Sequence, residues 1–290
     1  MNGESSQSLS RTTKDILNRH GIKLNRNLGQ NYLIDKNKRD QIIEFGDLNK
    51  DDVVLEIGTG IGTLTLELAR KAGKVIAIEQ DTNIANILKE RLEKEKIDNV
   101  ELINDDALNV DFPSFNKIVS NLPYQISSPI TFKFLDYDFD LAILMYQKEF
   151  ARRMNGTVGS KDYSRLSAML YFKCDVSTLT DVSSESFIPK PKIDSTVVRL
   201  TPKENRISDD DFRVYSNYTK ALFQHRNKKI RNALIDSRHV ICSLDKKEMK
   251  EKINNIKSDE LKEYLKLRVI AIKPEEILFL SKELNSILSE

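Results

Sequence analysis

The feature that most constrains this chain is an alternation. Short apolar runs at Val53 to Ile57, Val75 to Ile78, Val100 to Ile103, Ile118 to Ser120 and Leu141 to Tyr146 have the length of buried strands. Among them, Leu64 to Lys71 and Ile84 to Glu93 carry apolar residues every three or four positions, the spacing of an amphipathic helix. Strand and helix in turn predict a mostly parallel sheet covered on both faces. From Cys174 to Leu200 the pattern shifts to β-branched runs, "CDVSTLTDVS" and "DSTVVRL", around "FIPKPK", which predicts antiparallel strands closing one edge. Beyond Thr201 and Pro202 the strand signal ends, and Asp209 to Glu290 reads as charged helices without a glycine. A domain boundary is expected near residue 202.

At 290 residues the chain can bury such a sheet and a smaller second domain. Its 46 Lys and Arg against 44 Asp and Glu leave a formal charge of only +2, so any basic surface must be local. Cys174 and Cys242 are too few and too far apart for a disulfide framework or a zinc site, and no metal is expected. The opening "MNGESSQSLSRTTK" lacks the apolar stretch of a signal peptide, and no run approaches membrane-spanning length. A soluble, cytoplasmic protein with no membrane partner is expected.

Ligands of parallel sheets bind beyond the carboxyl ends of the strands, where strand order reverses. The first strand there runs into "VLEIGTGIGTLTLEL", whose Gly58, Gly60 and Gly62 allow a sharp turn and a close backbone approach to a ligand at the start of a helix. A nucleotide-like ligand is implied. The spacing is G-x-G-x-G, whereas a dinucleotide fingerprint needs G-x-G-x-x-G, and Thr63 stands where its last glycine should be. Glu79, 21 positions after Gly58 at the end of the second strand, can accept hydrogen bonds from both ribose hydroxyls. After the third strand, Asp106 can accept from an adenine amine and Ala107 leaves room for the ring, while one of Asp105 and Asp106 serves as a turn or cap residue. Add "SNLPY", Ser120 to Tyr124, beyond the fourth strand, and the order of loops is that of a class I S-adenosylmethionine-dependent methyltransferase. The expected fold class is therefore α/β, a Rossmann-like methyltransferase domain with a small C-terminal all-helical domain, and the expected cofactor is S-adenosyl-L-methionine.

"NLPY" also makes chemical sense in that setting. The exocyclic amine of adenine is a poor nucleophile because its lone pair is delocalised into the ring. The side-chain oxygen of Asn121 and the carbonyl of Leu122, stiffened by Pro123, can accept the two amine hydrogens and localise that pair toward a sulfonium methyl, while Tyr124 stacks on the base. No strong general base is required, because the nitrogen proton becomes acidic once the methyl arrives.

"LGQNYLID" (Leu28 to Asp35), "EIGTGIGTLT", "DDAL", "NLPYQISSPI", "FIPKPKIDSTVVRL" and "FQHRNKKIRNAL" occur here in the order found in the ribosomal RNA adenine dimethyltransferase family, which this chain resembles from about residue 11 to 235. The resemblance implies transfer of four methyls to two adjacent adenosines in a hairpin loop near the 3′ end of small-subunit ribosomal RNA, during subunit assembly. Its partner would be that RNA within a pre-ribosomal particle, with no obligate protein partner implied. Carried over by motif, Asn31 and Leu33 help close the cofactor site, Gly58 lies against the methionine part with Gly60 in the same loop, Glu79 holds the ribose, Asp106 the adenine, and Asn121 bridges cofactor and target. Phe187 in "SFIPKPK" looks like a second aromatic wall beside the target base. Tyr32 stands where many relatives have Phe, Thr59 where many have Pro, and His225 where bacterial members usually carry Arg; none is expected to touch the chemistry. "FQHRNKK" and "LMYQKEFARRM" resemble the archaeal and eukaryotic branch, and the short length leans archaeal. That each amine takes two methyls rests on the resemblance alone.

Charge is locally uneven in a way that suits RNA. Residues 11 to 39 hold eight Lys and Arg (Arg11, Lys14, Arg19, Lys23, Arg26, Lys36, Lys38, Arg39), and residues 222 to 239 hold five, namely Arg226, Lys228, Lys229, Arg231 and Arg238. The expected organisation is a basic N-terminal segment at 1–27, the methyltransferase domain at 28–202 and a helical RNA-binding domain at 203–290, with Arg226, Lys228, Lys229 and Arg231 as RNA contacts. Arg152, Arg153, Lys161 and Arg165 form a weaker basic group around "NGTVGS". A large-subunit rRNA adenine methyltransferase of the resistance type, or an rRNA-binding assembly factor with little catalysis, are the alternatives; the second should show decay of the glycine loop or of "NLPY", and both are intact.

Overall fold

The computed structural model describes residues 6–22, 31–204 and 207–289. The chain forms two compact units, Met1–Ala151 with Val176–Pro202, and Arg152–Asp175 with Lys203–Glu290. In chain order the strands are β1 (Tyr32–Leu33), β2 (Val53–Ile57), β3 (Lys74–Ile78), β4 (Val100–Ile103), β5 (Lys117–Asn121), β6 (Leu141–Gln147), β7 (Cys174–Val182), β8 (Phe187–Ile188) and β9 (Ser195–Pro202). The helices that accompany the first unit are α1 (Ser6–Arg19), α2 (Lys36–Phe45), α3 (Thr65–Lys71), α4 (Thr82–Glu95), α5 (Ser127–Phe134) and α6 (Lys148–Met154), the last running across the boundary at residue 151.

The main sheet has the order β4-β3-β2-β5-β6-β9-β7. Neighbours from β4 to β6 are parallel, and β9 runs antiparallel to β6 in the register Ala142↔Leu200 to Gln147↔Ser195. Strand order thus reverses between β2 and β5. The central strands are apolar almost throughout because both faces are covered: Val54, Leu55, Ile76, Ile118 and Val119 have no exposed surface. The expected helix from Ile84 begins two residues earlier, since the Asp81 carboxylate accepts from the N–H groups of Asn83 and Ile84 and so sets the start of α4. Along α4, Ile84, Ile87, Leu88 and Leu92 form the buried stripe. A second, two-stranded sheet pairs β1 with β8, Leu33 opposite Phe187; elements of two residues carry no periodicity that a sequence could display.

At the point of reversal the β2–β5 pairing extends only over Val54↔Lys117 and Leu55↔Ile118. Two residues on, a side chain replaces the ladder: the fully buried Ser120 hydroxyl donates to the Ile57 carbonyl (2.7 Å) and accepts from the Ile57 N–H (3.2 Å). The strands can therefore separate toward their carboxyl ends without leaving buried backbone groups unpaired.

In the second unit, residues 152–175 pack with the C-terminal helices α8 (Asp209–Phe223), α9 (Ile230–Asp236), α10 (Lys246–Asn254), α11 (Asp259–Lys266) and α12 (Pro274–Ser289), following α7 (Arg165–Lys173). Tyr215 on α8 donates to the Ala168 carbonyl on α7 (2.7 Å), and Tyr163 donates to the Ile272 carbonyl (2.9 Å). The expected 28–202 domain is thus interrupted: residues 152–175 cluster with the helices that follow 202. Helix α7 was not among the elements expected from the sequence. Part of the expected basic segment, with Lys23 and Arg26, lies outside the described residues, whereas α1 clusters with the first unit.

Ser120→Ala should destabilise the protein by about 2–4 kcal/mol in urea unfolding, because both Ile57 backbone groups lose their partner. Unchanged stability would mean that Ile57 needs no such partner.

Candidate active site

A cavity of about 440 Å³ opens beyond the carboxyl ends of β2 to β5. Each wall comes from the loop after one strand: Gly58, Thr59 and Gly60 after β2, Glu79 to Asp81 after β3, Asp105 to Ala107 after β4, and Asn121 to Ile126 at the end of β5. Asn31, Tyr32 and Leu33 complete it. The structure therefore brings together Asn31, Leu33, Gly58, Gly60, Glu79, Asp106, Asn121, Leu122, Pro123 and Tyr124.

Gly58 has φ +72°, and a Cβ there would lie 2.7 Å from the Pro123 ring, so only glycine admits both the turn and the neighbour. Glu79 holds the turn from the next strand. Its carboxylate accepts from the Gly60 N–H (2.9 Å) and from the Asp81 N–H (3.0 Å), and burial raises its pKa above the usual carboxylate range. Asp106 accepts from the Leu108 N–H through Oδ1 (2.9 Å), while Asp105 accepts from the Asp106 N–H (2.7 Å); both acids thus act in the turn. Lys133, which no motif singled out, reaches from α5 to donate to the carbonyls of Ala107 (2.9 Å), Leu108 and Val110, fixing the loop that carries Asp106.

The "NLPY" segment is held at both ends. Asn121 Nδ2 donates to the Asn31 carbonyl (3.3 Å), which leaves Oδ1 as the acceptor end of the amide. Pro123 caps a 3-10 turn over Tyr124–Ile126 that leads into α5. The Tyr124 hydroxyl is bonded to the Ser195 hydroxyl at the start of β9 (2.5 Å), and burial raises its pKa.

Phe187 stands apart from the other aromatic. It is 2% exposed, sits in the core cluster with Leu33 and Val197, and is absent from the cavity wall. A second aromatic wall beside the target base was the expectation; β8 instead pairs with β1, and this ring lies in the core. Arg226 is likewise no free cation, because its guanidinium donates to the carbonyls of Lys161 (3.0 Å) and Ser160 (3.3 Å). Arg231 bonds Asn254, and Lys228 shares Asp236 with Lys246. Lys229 is exposed, and its ammonium has no partner among the described residues. In the N-terminal basic group, Arg39 is buried and paired with Asp40, and Lys36 pairs with Asp40 as well. A count of cations cannot distinguish such internally paired side chains from free ones.

Sequence reasoning missed or discounted several cavity residues. Tyr32 and Thr59, read as departures away from the chemistry, both stand on the wall. Glu56, at 1% exposure, lines the cavity with a buried Oε2 that has no hydrogen-bond partner among the described residues. An acid inside an otherwise apolar strand, "VVLEI", was the signal that could have found it.

Burial pushes the Glu56 carboxyl up to about 8; the Thr65 hydroxyl works against the rise and the Glu79 carboxylate adds to it. Between its ordinary value of 4.5 and about 8 the folded chain holds a proton that the unfolded chain has released. Its contribution to stability is complete below the lower value and is lost as pH rises through the upper one. Glu56→Gln should therefore flatten the fall in ligand-free stability between pH 5 and 9, and above pH 8 exceed the wild type by on the order of a few kcal/mol in urea unfolding. A pH profile identical to that of the wild type would contradict this environment.

Comparison with known proteins agrees with this geometry. The family described as ribosomal RNA adenine dimethylase matches residues 21–271. A probable ribosomal RNA small subunit methyltransferase A from Methanosphaera stadtmanae is 51% identical over 276 residues, covering 95% of this chain and 97% of its own. Among solved structures, a dimethyladenosine transferase from Plasmodium falciparum is 30% identical with a TM-score of 0.73, covering 88% of this chain and 98% of that one. The 23S rRNA methyltransferase ErmE is 26% identical with a TM-score of 0.60, covering 90% of this chain and 100% of that one. Strand order, glycine turn and acidic loops are those of a Rossmann-like class I methyltransferase with a helical C-terminal region, and the chain belongs to the ribosomal RNA adenine dimethylase family.

Proposed function

We propose that this enzyme uses S-adenosyl-L-methionine to dimethylate the exocyclic amines of two adjacent adenosines in a hairpin loop near the 3′ end of small-subunit rRNA, in the cytoplasm, during assembly of the subunit. The observation that carries the reading is the fixed amide of Asn121, tethered to Asn31 on the same cavity wall as the glycine turn. Among the described residues no helix is long and apolar enough to cross a membrane.

The side chains on the wall suit this cofactor. Glu79, already accepting from two N–H groups, is an acceptor for ribose hydroxyls; Asp106 keeps Oδ2 for the adenine amine; and the unpartnered Oε2 of Glu56 suits the cationic amino group of the methionine part. Bound there, S-adenosylmethionine would supply an electrophilic methyl on a sulfonium that departs as a neutral thioether. The protein's part is positioning. Asn121 Oδ1 and the Leu122 carbonyl accept the hydrogens of the target amine and turn its lone pair toward the methyl. Tyr124, clamped at its hydroxyl by Ser195, offers a ring of fixed orientation on which a flipped base can stack. After the first transfer one hydrogen remains, so a second transfer keeps one of the two acceptors engaged. Loop adenosines suit this site, because an unpaired base is easier to extrude.

RNA contacts are assigned to the exposed side chains of Lys228 and Lys229 in the second unit, with Arg226 bracing the loop behind them. The reading is tested by mass spectrometry of rRNA from unmethylated small and large subunits after incubation with the protein and labelled cofactor. Dimethyladenosine in the small-subunit RNA supports it; label only in the large-subunit RNA, or monomethyladenosine only, overturns it.

Asn121→Ala should lower single-turnover methyl transfer on the order of a hundredfold or more, with RNA binding nearly unchanged. Retained transfer would remove the assigned role. Replacing Lys228 and Lys229 together by Ala should weaken RNA binding and reduce the slope of log affinity against log salt by roughly one to two units. An unaltered slope would make these two lysines ordinary surface.

A further inference from the structure

The Tyr32 side chain has a fixed ring and an unsatisfied hydroxyl. Its backbone pairs with Ile188 in the β1–β8 sheet, and its ring packs among Leu17 of α1, Ile61 of the glycine turn, and Ile84 and Ile87 of α4. The ring also crosses the glycine turn, since a Cβ added at Gly60 would lie 3.1 Å from its Cε1. The residue is 5% exposed, lines the cavity, and its hydroxyl has no hydrogen-bond partner among the described residues.

Phenylalanine would fill the same space. A buried hydroxyl that finds no partner destabilises the fold, so packing alone gives no reason for it. The groups around it indicate what would satisfy it. Glu79 and Asp81 are the carboxylates whose charge is felt at this hydroxyl, and Glu79 bonds the N–H of the glycine over which the ring lies. Ionised carboxylates only accept, whereas a phenol hydroxyl can also donate. A vicinal diol matches that set: its hydrogens go to the Glu79 carboxylate and its oxygen receives the tyrosyl hydrogen.

Building on the cofactor reading above, we infer that Tyr32 is a further ligand-positioning residue, its hydroxyl donating to the ribose diol of the nucleoside cofactor beside Glu79. The hydroxyl is then unsatisfied only in the ligand-free chain. Replacing it should weaken ligand binding without lowering ligand-free stability, a pattern that a purely structural tyrosine would not give.

The test compares wild type with Tyr32→Phe by calorimetric titration with S-adenosylhomocysteine and by thermal melting without ligand. Expected is a roughly five- to thirtyfold loss of affinity, together with a ligand-free melting temperature equal to or above that of the wild type. The loss should shrink toward unity with the 2′,3′-dideoxy analogue of the same ligand. Unchanged affinity, or an equal loss with the dideoxy analogue, overturns the inference while the cofactor reading stands. A wild-type protein that does not take up S-adenosylhomocysteine overturns the cofactor reading, and this inference with it.

Discussion

The site depends on how closely two loops approach where strand order reverses. Gly58, at the end of β2, has a backbone conformation costly to other residues, and the Pro123 ring beyond β5 occupies the volume in which any side chain would sit. Between these strands the ladder stops after two residue pairs and the Ser120 hydroxyl continues it. The loops can thus separate enough to enclose a cavity and still meet at one point. Pro123 stiffens one side of that contact, and Glu79 fixes the other by holding the Gly60 N–H.

Polar groups in the cavity are largely organised before any ligand arrives. Glu79 is occupied by backbone donors, Asp106 and Asp105 by their own turn, and Asn121 by the Asn31 carbonyl. Such ordering is paid for in the folding of the chain, so less remains to be immobilised on binding. The exceptions are Glu56 and Tyr32, each with a buried oxygen lacking a partner among the described residues. Both sit close to the glycine turn, where a ligand can satisfy what the protein leaves open.

Much of this arrangement is legible in the sequence, because it follows from local rules. Apolar runs gave the parallel strands, the glycines gave the turn, and an acid or amide after each strand gave the wall, all in chain order. Features decided by a distant partner were not legible. Phe187 was expected as a second aromatic wall beside the base but meets Leu33 across a two-residue strand pair; Arg226, expected to contact RNA, braces carbonyls some 65 positions away. Tyr32 was read as a departure away from the chemistry, and only the packed structure places the residue on the cavity wall with a buried hydroxyl. Glu56 escaped notice because the glycines beside it dominate the motif.

The chain leaves the first unit after residue 151, contributes 152–175 to the helical unit, returns at Val176 for β7, β8 and β9 and leaves again after Pro202. Leu166, Met169 and Leu170 of α7 are buried, and α8 reaches that helix through Tyr215. The helical unit is therefore no detachable tail. Its core is woven from two separate stretches of polypeptide, so no single cut in the chain releases either unit as one continuous piece.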